Sequence, residues 1–199
     1  MTKTERIEQI KNKTKELIAL NGSLDSVRTK DISNAIDASE ATIFKYFNSK
    51  EHIFESILID YIEGRPLKIN HSKVDTLPKF KSALNKILDF TFDTSPYRNN
   101  NVSLIICASL KKHSITYWNY NNLKDEVWSF IENRITYGKK HWNFDRSLDP
   151  KTQARLFYYA PLMFYIQMEL FDGKSVESFD YQNVKKVHMK NFMNILQNS

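Results

Sequence analysis

Ala41 and Lys45 place a small and a cationic side chain one helical turn apart, a pairing that suits contact with a nucleic acid. Both lie in the stretch EATIFKYF at 40–47, where apolar residues recur at helical spacing. On a helix they point away from Ile43 and Phe47, which share the opposite, apolar face. A small residue allows close approach to base edges, and an ammonium group pairs with phosphate. The stretch therefore predicts an outward tip that an apolar inner face holds in place.

Two short helices separated by a tight turn are needed to position this tip. The segment TKDISNAI at 29–36 has helical spacing, DAS at 37–39 breaks it, and 40–47 follows as a second short helix. Helices of this length cannot bury enough surface alone, so a third helix must cross them. The periodic segment at about 4–20 supplies it. Together they predict a helix-turn-helix, whose second helix, only ~10 Å long, fits a DNA major groove about 12 Å wide.

Polar residues stand where these helices should begin. Thr29 and Ser39 are each predicted to cap the helix that follows, because a side-chain oxygen there accepts from a free backbone N–H group. Asn48 and Glu51 have capping-box spacing at the start of a longer helix. Helix starts at Thr29 and Lys50 would also direct backbone N–H groups at a phosphate.

The segment 29–58 resembles the DNA-binding signature of the TetR family of transcriptional repressors. Part of that signature reads S-x-x-T-[IL]-Y-x-Y-F-x-x-K, and it runs in step with residues 39–50. The matching residues are Ile32, Ser39, Thr42, Ile43, Tyr46, Phe47 and Lys50. A long ordered set is far more specific than a lone short motif. Outside this segment, only the chain length and the helical layout resemble the family.

The resemblance implies DNA contacts for eight residues. Those that would contact backbone phosphates are Thr29, Ser39, Thr42, Tyr46 and Lys50. Those that would face the bases are Ala41, Phe44 and Lys45. The residues themselves leave simpler roles open, which are helix capping for Thr29 and Ser39, core packing for Tyr46, and a solvated ammonium group for Lys50.

Three positions depart from the family's pattern. Asp37 stands where glycine is usual in the turn, and Asp tolerates a left-handed backbone better than most residues. Phe44 replaces the usual tyrosine, so it keeps apolar contact with a thymine methyl or a sugar but loses a hydroxyl bond to phosphate. Glu40 is acidic where a basic or neutral residue is common, which disfavours close approach of a phosphate.

The composition predicts a cytoplasmic globular protein. The 199 residues are 41% hydrophobic and 26% charged, with a formal charge of +6. Residues 1–50 carry 9 Lys and Arg against 7 Asp and Glu, so charge alone does not identify a nucleic-acid binder. The single cysteine, Cys107, excludes an intramolecular disulfide. The polar N-terminus and the short apolar runs predict neither a signal peptide nor a membrane span.

No arrangement of reactive side chains predicts an enzyme. Cys107 and His113 are six residues apart, so they leave one helix at different angles, and no Asp or Asn is placed to orient them. The five histidines are isolated, without metal-ligand spacing, and four scattered glycines cannot build a phosphate-binding loop. We therefore expect no catalytic residue, no metal and no cofactor.

The chain is predicted to be all-α, with about nine helices. Beyond a polar boundary at 65–78, helices are expected at about 79–94, 100–113, 120–141, 150–171 and 180–197, with breaks at TSPYRNN, SITYW, FDRSLDP and DGKSVESFD. Residues 1–50 are interpreted as a DNA-binding domain and 51–63 as a connecting helix. Residues 64–199 are interpreted as a ligand-binding and dimerisation domain.

The resemblance also implies a homodimer and a small-molecule effector. The last two long helices would pair with those of a second copy, because 153–171 is apolar nearly all round. A twofold dimer presents two reading helices about 34–36 Å apart to a palindromic operator in double-stranded DNA. Candidate residues of the effector pocket are Trp128, Tyr137, Phe164 and Gln167, with core packing as the alternative for the aromatic ones and a bond to a partner chain as the alternative for Gln167.

Pro161 should kink the helix at 150–171 and free the backbone carbonyl of Phe157, either toward the pocket or simply to fit the core. The predicted function is a dimeric repressor that an unknown effector releases from its operator. The rival is an all-helical dimeric interaction protein that keeps the fold without reading DNA. Glu40, Phe44 and the low charge of residues 1–50 favour that rival.

Overall fold

The computed structural model describes residues 1–21, 25–64, 67, 69, 71–110 and 112–197, and the chain is helical in these ranges, without a β-strand. Its helices are α1 (Lys3–Asn21), α2 (Thr29–Ala35), α3 (Glu40–Phe44), α4 (Lys50–Glu63), α5 (Leu77–Thr91), α6 (Pro96–Leu110), α7 (Ser114–Leu123), α8 (Ser129–His141), α9 (Pro150–Tyr165) and α10 (Tyr181–Gln197). A π turn at Lys124–Trp128 joins α7 to α8, so these segments form nine helices, and a second π turn extends α9 to Leu170. The predicted all-α class is confirmed.

Tertiary packing divides the chain into two compact units. The first comprises Met1–Gly64 and Pro96–Trp118, and the second comprises Arg65–Ser95 and Asn119–Ser199. Below, the head denotes α1–α4 of the first unit, and the body denotes the second unit. Packing does not test the functional assignment of 1–50, 51–63 and 64–199, which stays a prediction. Gly22 at the end of the first predicted helix and Pro66 in the predicted boundary lie outside the described residues.

Aliphatic residues at helical spacing build the core of the first unit. Ile10 of α1, Ile32 of α2 and Ile43 of α3 are fully buried in one cluster with residues of α4. Lys11 of α1 forms an ion pair with Asp60 of α4, with its Nζ 2.5 Å from Oδ2 of the aspartate. Burial acts to lower the pKa of Lys11, but its hydrogen bonds to the acidic neighbours outweigh burial and raise it. The lysine is therefore held charged between the two helices.

Aromatic rings build the core of the body. Phe80 of α5 is fully buried and packs against the rings of Phe130, Trp142 and Phe144. Gly138 of α8 makes room for one of these rings, because a Cβ atom there would lie 2.2 Å from Cδ2 of Phe144. A larger residue at this position would displace the ring from the core.

Two of the predicted breaks are wrong. SITYW at 114–118 opens α7 instead of interrupting the helices, and α6 already begins at Pro96, where proline is favoured because it needs no N–H donor. The chain turns instead at Lys112, which has a φ of 53°, and the N–H of His113 donates to the Ala108 carbonyl (3.0 Å). Glycine normally marks such a left-handed helix end, and a lysine does not.

Candidate nucleic-acid interface

The turn between α2 and α3 rests on a left-handed residue. Asp37 has a φ of 50°, the conformation that the glycine usual at this position would adopt without strain. The N–H of Asp37 donates to the Asn34 carbonyl (3.2 Å), and the N–H of Ala38 donates to the Ser33 carbonyl (3.0 Å). These bonds end α2 and start the turn, so aspartate replaces glycine there without losing the geometry.

Ser39 caps α3, as predicted. The backbone N–H of Thr42 donates to Oγ of Ser39 (3.2 Å), and the two side-chain oxygens are 3.0 Å apart. The cap fixes the first turn of the short helix that carries the proposed reading residues. It also means that both hydroxyls already bond to each other before any phosphate approaches.

Thr29 is not the cap of α2, which corrects the prediction. It is the first helical residue, and Arg28 takes the cap position. The carboxylate of Asp31 accepts from the backbone N–H of Arg28 (2.9 Å), and the Arg28 guanidinium bonds the same carboxylate. This arginine lowers the pKa of Asp31 below its usual value. Sequence reasoning passed over Arg28 because arginine is not among the residues that favour caps.

The longer helix α4 has a cap one residue later than predicted. Oγ of Ser49 accepts from the N–H of His52 (3.1 Å), whereas Asn48 donates its N–H to Nδ1 of the same histidine (3.2 Å). The capping-box spacing of Asn48 and Glu51 is therefore not used as expected. Lys50 is the first residue of α4, so α4 begins where the sequence predicted it.

The faces of α3 divide as the helical wheel predicts. Ile43 is fully buried and Phe47 is 3% exposed, while Phe44 between them in sequence is 50% exposed. Ala41 and Lys45 are exposed too, so the predicted base-facing set lies together on one accessible surface. This reading face is defined by Ala41, Phe44 and Lys45. Tyr46 is half-buried, which leaves both its packing role and its phosphate role open.

Two further charged residues on the head accompany the reading face. Glu40 is exposed at the start of α3, where its carboxylate would oppose a phosphate. Lys30 is exposed in the first turn of α2 and adds a cation that sequence reasoning did not select. Its place beside Thr29 at a helix start was the available signal.

The head is the part of the chain that matches a known protein family in sequence. Residues 12–57 match the family model described as bacterial regulatory proteins, tetR family. The match spans most of α1, all of α2 and α3 and the first part of α4, which are the elements that build the reading face. The head is therefore a TetR-family DNA-binding domain.

Solved structures share the whole fold with this chain. A putative transcriptional regulator from Saccharomonospora viridis in complex with choline has a TM-score of 0.72 at 21% identity, over 96% of this chain and 97% of that one. NalD, the secondary repressor of the MexAB-OprM multidrug efflux pump in Pseudomonas aeruginosa, has a TM-score of 0.71 at 12% identity, over 100% of both chains. FadR from Bacillus subtilis in complex with stearoyl-CoA has a TM-score of 0.63 at 17% identity, over 95% and 98%. No curated protein matches the chain significantly in sequence.

The predicted pocket residues of this regulator lie in separate surroundings within the body. Trp128 is 1% exposed, whereas Tyr137 stacks on His141 at a centroid distance of 4.1 Å. Phe164 is exposed and meets an exposed ring of the loop before α10, and Gln167 is exposed as well. None of the three aromatic residues has a ring contact with another in the described body. Their role in binding an effector stays a prediction.

Trp128 has aromatic neighbours that the sequence analysis did not select. The ring of Tyr120 lies 4.9 Å away, edge-on, and that of Tyr159 lies 5.5 Å away. Arg155 holds its guanidinium 5.1 Å from the Trp128 ring. The indole N–H of Trp128 is buried and has no acceptor among the described residues. Tyr120 precedes Trp128 by eight residues, which is two helical turns, so their spacing was a usable signal.

The carbonyl that Pro161 frees in α9 is used within the body. Nε2 of His188 on α10 lies 2.9 Å from the Phe157 carbonyl oxygen, and the two rings are 5.0 Å apart. Burial lowers the pKa of His188, so the ring is kept neutral and donates to this carbonyl. The contact ties the last two helices together.

In the described ranges, the chain has no helix that is long and apolar enough to cross a membrane. A search of the same residues finds no group of His, Cys, Asp and Glu side chains that could hold a metal ion.

Proposed function

We propose that this chain is a dimeric repressor that binds a palindromic operator through α3 and is released by a small-molecule effector. One observation carries the proposal. Ala41 and Phe44 of α3 and Lys45 directly after it are exposed together, while Ile43 of α3 and the nearby Phe47 are buried in the core. A helix anchored in this way can enter a major groove without rearranging the head.

The proposed contacts follow from chemistry at the reading face. Lys45 pairs with a phosphate or with guanine acceptors, and Phe44 contacts a thymine methyl group or a sugar. Ala41 leaves room for the helix to approach the base edges. The starts of α2 and α4, at Thr29 and Lys50, would hold flanking phosphates through backbone N–H groups. Ser39, Thr42 and Tyr46 complete the proposed set of phosphate contacts.

Exposed apolar side chains on the last two helices support a homodimer. Leu156, Tyr159 and Met163 of α9 are 56%, 43% and 52% exposed, and Val187 and Ile195 of α10 are 48% and 46% exposed. Large apolar side chains in such a row on a free surface are a mark of a protein interface. We propose that two copies of this surface form a four-helix interface with twofold symmetry.

The buried indole N–H of Trp128 supports an effector site in the body. A buried donor without an acceptor costs about 1–3 kcal/mol, and a ligand with a suitable oxygen would remove that cost. The aromatic rings of Tyr120 and Tyr159 beside it suit an organic ligand. Relatives of the same fold were solved with choline and with stearoyl-CoA, which differ widely in chemistry. Tyr137, Phe164 and Gln167 are the other candidate residues.

The deciding experiment measures binding to the DNA upstream of the chain's own gene by fluorescence anisotropy. Lys45→Ala and Lys50→Ala are each expected to weaken binding and to reduce the salt dependence by about one counterion. Lys151→Ala, an exposed lysine at the start of α9, is the matched control and should leave binding unchanged. If Lys45→Ala and Lys50→Ala bound this DNA as tightly as the control Lys151→Ala, the assignment of the reading face would be overturned.

A rival function rests on the acidity of the same surface. Glu40 is exposed at the start of α3, and residues 1–50 carry only a small positive surplus. An interaction protein with a retained fold would show no specific DNA binding and no effect of the Lys45 and Lys50 changes. Glu40→Gln separates the two, because a DNA reader should gain affinity from the loss of repulsion.

A further inference from the structure

A groove runs between α5 and α10 on the surface of the body. Its volume is about 640 Å³. Lys81 and Asp89 of α5 stand on one side, and Lys185, Lys186 and Lys190 of α10 stand on the other. We call this feature the α5–α10 groove. It is separate from the reading face and from the proposed effector residues.

The groove holds much of the chain's surplus of positive charge. Four lysines line it against one aspartate, and α10 has no acidic residue over its whole length. A second groove of about 560 Å³, which shares Gln197 with the first, adds Lys139, Lys140 and Arg146 against Asp145 alone. The two grooves therefore have a surplus of five positive charges, in a chain whose total formal charge is +6.

Few of these cations are neutralised within the protein. Nζ of Lys185 lies 2.6 Å from Oδ1 of Asp89, which pins one lysine across the groove. In the described part of the chain, no acidic side chain pairs with Lys81, Lys186 or Lys190. Like charges held this close repel each other, so an anionic partner would relieve the repulsion.

The bottom of the groove is apolar. Met193 is 5% exposed and Met189 is partly buried against the core, and both line the groove between the lysines. Methionine is flexible and polarizable, so it adapts to the shape of an apolar partner. The α10 side of the groove extends from Gln182 to Gln197, which is about 22 Å along a helix axis. That is the length of about four helical turns.

Cationic rims around an apolar bottom select among anionic partners. Duplex DNA would satisfy the lysines but offers phosphates and sugars to the methionines. A second copy of this chain would bring the same positive charge and be repelled. An amphipathic helix with acidic flanks satisfies both parts, because its apolar stripe meets the methionines and its carboxylates meet the lysines.

We propose that the α5–α10 groove is a docking site for an acidic amphipathic helix of a partner protein. Val187 and Ile195 of the proposed dimer surface lie on a different face of α10 from Lys186, Met189 and Lys190. Docking therefore leaves that surface available.

The test uses the full chain and a synthetic helix of about four turns, with leucines at helical spacing and glutamates on both flanks. The controls are a scrambled peptide of equal composition and a peptide with lysine for each glutamate. Binding is measured by anisotropy of the labelled peptide at low and high salt. Only the acidic amphipathic peptide should bind, and it should bind more weakly at high salt.

Two protein variants locate the binding. The double change Lys186→Glu with Lys190→Glu is expected to weaken peptide binding about tenfold or more. Lys124→Glu with Lys151→Glu makes the same charge change at exposed sites outside the groove and should have little effect. Met189→Gln keeps the charge and should weaken binding severalfold, with circular dichroism to verify that each variant is folded.

Several outcomes would overturn the proposal. If the scrambled peptide bound as tightly as the amphipathic one, net charge alone would explain the binding. The same would hold if both double variants lost the same amount of peptide affinity. Failure of the acidic peptide to bind would remove the docking site. If the groove variant instead weakens binding of a non-operator duplex, the partner is nucleic acid. Operator binding by the head is measured in parallel, so failure here is distinguishable from failure of the proposed function.

Discussion

The core of the head is mainly aliphatic, whereas the core of the body contains more aromatic rings and includes residues of π turns. In the head, Ile10, Ile32 and Ile43 fill one compact cluster. In the body, rings such as Phe80, Trp128 and Phe157 pack at varied angles. Branched aliphatic side chains have few rotamers and fix a helix firmly, which suits a reading surface. π turns are frequent at functional sites, which is consistent with the effector site proposed for the body.

The largest change in the free energy of unfolding is expected from a substitution in the core of the head, and two neighbouring residues of α3 test it. Ile43→Ala removes a fully buried side chain and should lower the free energy of unfolding by about 2–5 kcal/mol. Phe44→Ala removes a half-exposed side chain and should change that free energy by less than about 0.5 kcal/mol while it weakens operator binding. Urea unfolding followed by circular dichroism, together with anisotropy on operator DNA, separates the two effects.

Similar stability losses in the two variants would contradict the division of α3 into a core face and a reading face.

The head was largely predictable because its signals are local. The spacing of Ile43, Lys45 and Phe47 indicates which side is buried, and burial confirms it, although α3 ends at Phe44 and not at Phe47 as predicted. The cap at Ser39 is also local. The cap predicted at Thr29 lies one position earlier, at Arg28, because the Asp31 carboxylate accepts from the Arg28 backbone N–H. Residue types alone do not rank this alternative.

The body was less predictable because its decisive contacts join distant residues. The Phe157 carbonyl finds His188, which lies 31 positions away, so the proline signal was visible but its partner was not. Trp128 likewise meets Arg155 and Tyr159 of α9, which its own spacing along the chain does not reveal.

The second-largest effect is expected at the contact between α9 and α10. His188→Ala leaves the Phe157 carbonyl without its donor and should lower the free energy of unfolding by about 1–3 kcal/mol. His188→Gln keeps an N–H donor near the same place and should cost less. Thermal unfolding of both variants measures the difference, and equal losses would show that the hydrogen bond is not what stabilises the contact.

The same histidine gives the body a pH dependence. Burial lowers the pKa of His188, despite the opposing hydrogen bond to Phe157, so the unfolded chain binds its proton more tightly than the folded chain does. Stability should therefore fall as the pH drops below about 6.5, the usual pKa of histidine. Because glutamine does not titrate, the stability of His188→Gln should fall less over this range.

A smaller effect is expected at the caps of the head. Ser39→Ala removes the acceptor for the Thr42 N–H and should lower the free energy of unfolding by about 1 kcal/mol. Thr29→Ala is the matched control, since Thr29 is inside α2 and caps nothing. It should leave stability nearly unchanged, and a loss as large as that of Ser39→Ala would return Thr29 to the role of a cap.

The smallest effect distinguishes the two left-handed positions of the first unit. Lys112 and Asp37 have φ values of 53° and 50°. The left-handed conformation is more strained for a lysine than for an aspartate, because a short polar side chain can form a local hydrogen bond. Glycine adopts it without strain because it has no Cβ. Lys112→Gly should therefore stabilise the protein by about 0.5–1 kcal/mol, whereas Asp37→Gly should be close to neutral because glycine also loses more entropy on folding. Chemical denaturation resolves the two, and a larger gain at Asp37 would mean that the turn of the helix-turn-helix, not the end of α6, is the strained site.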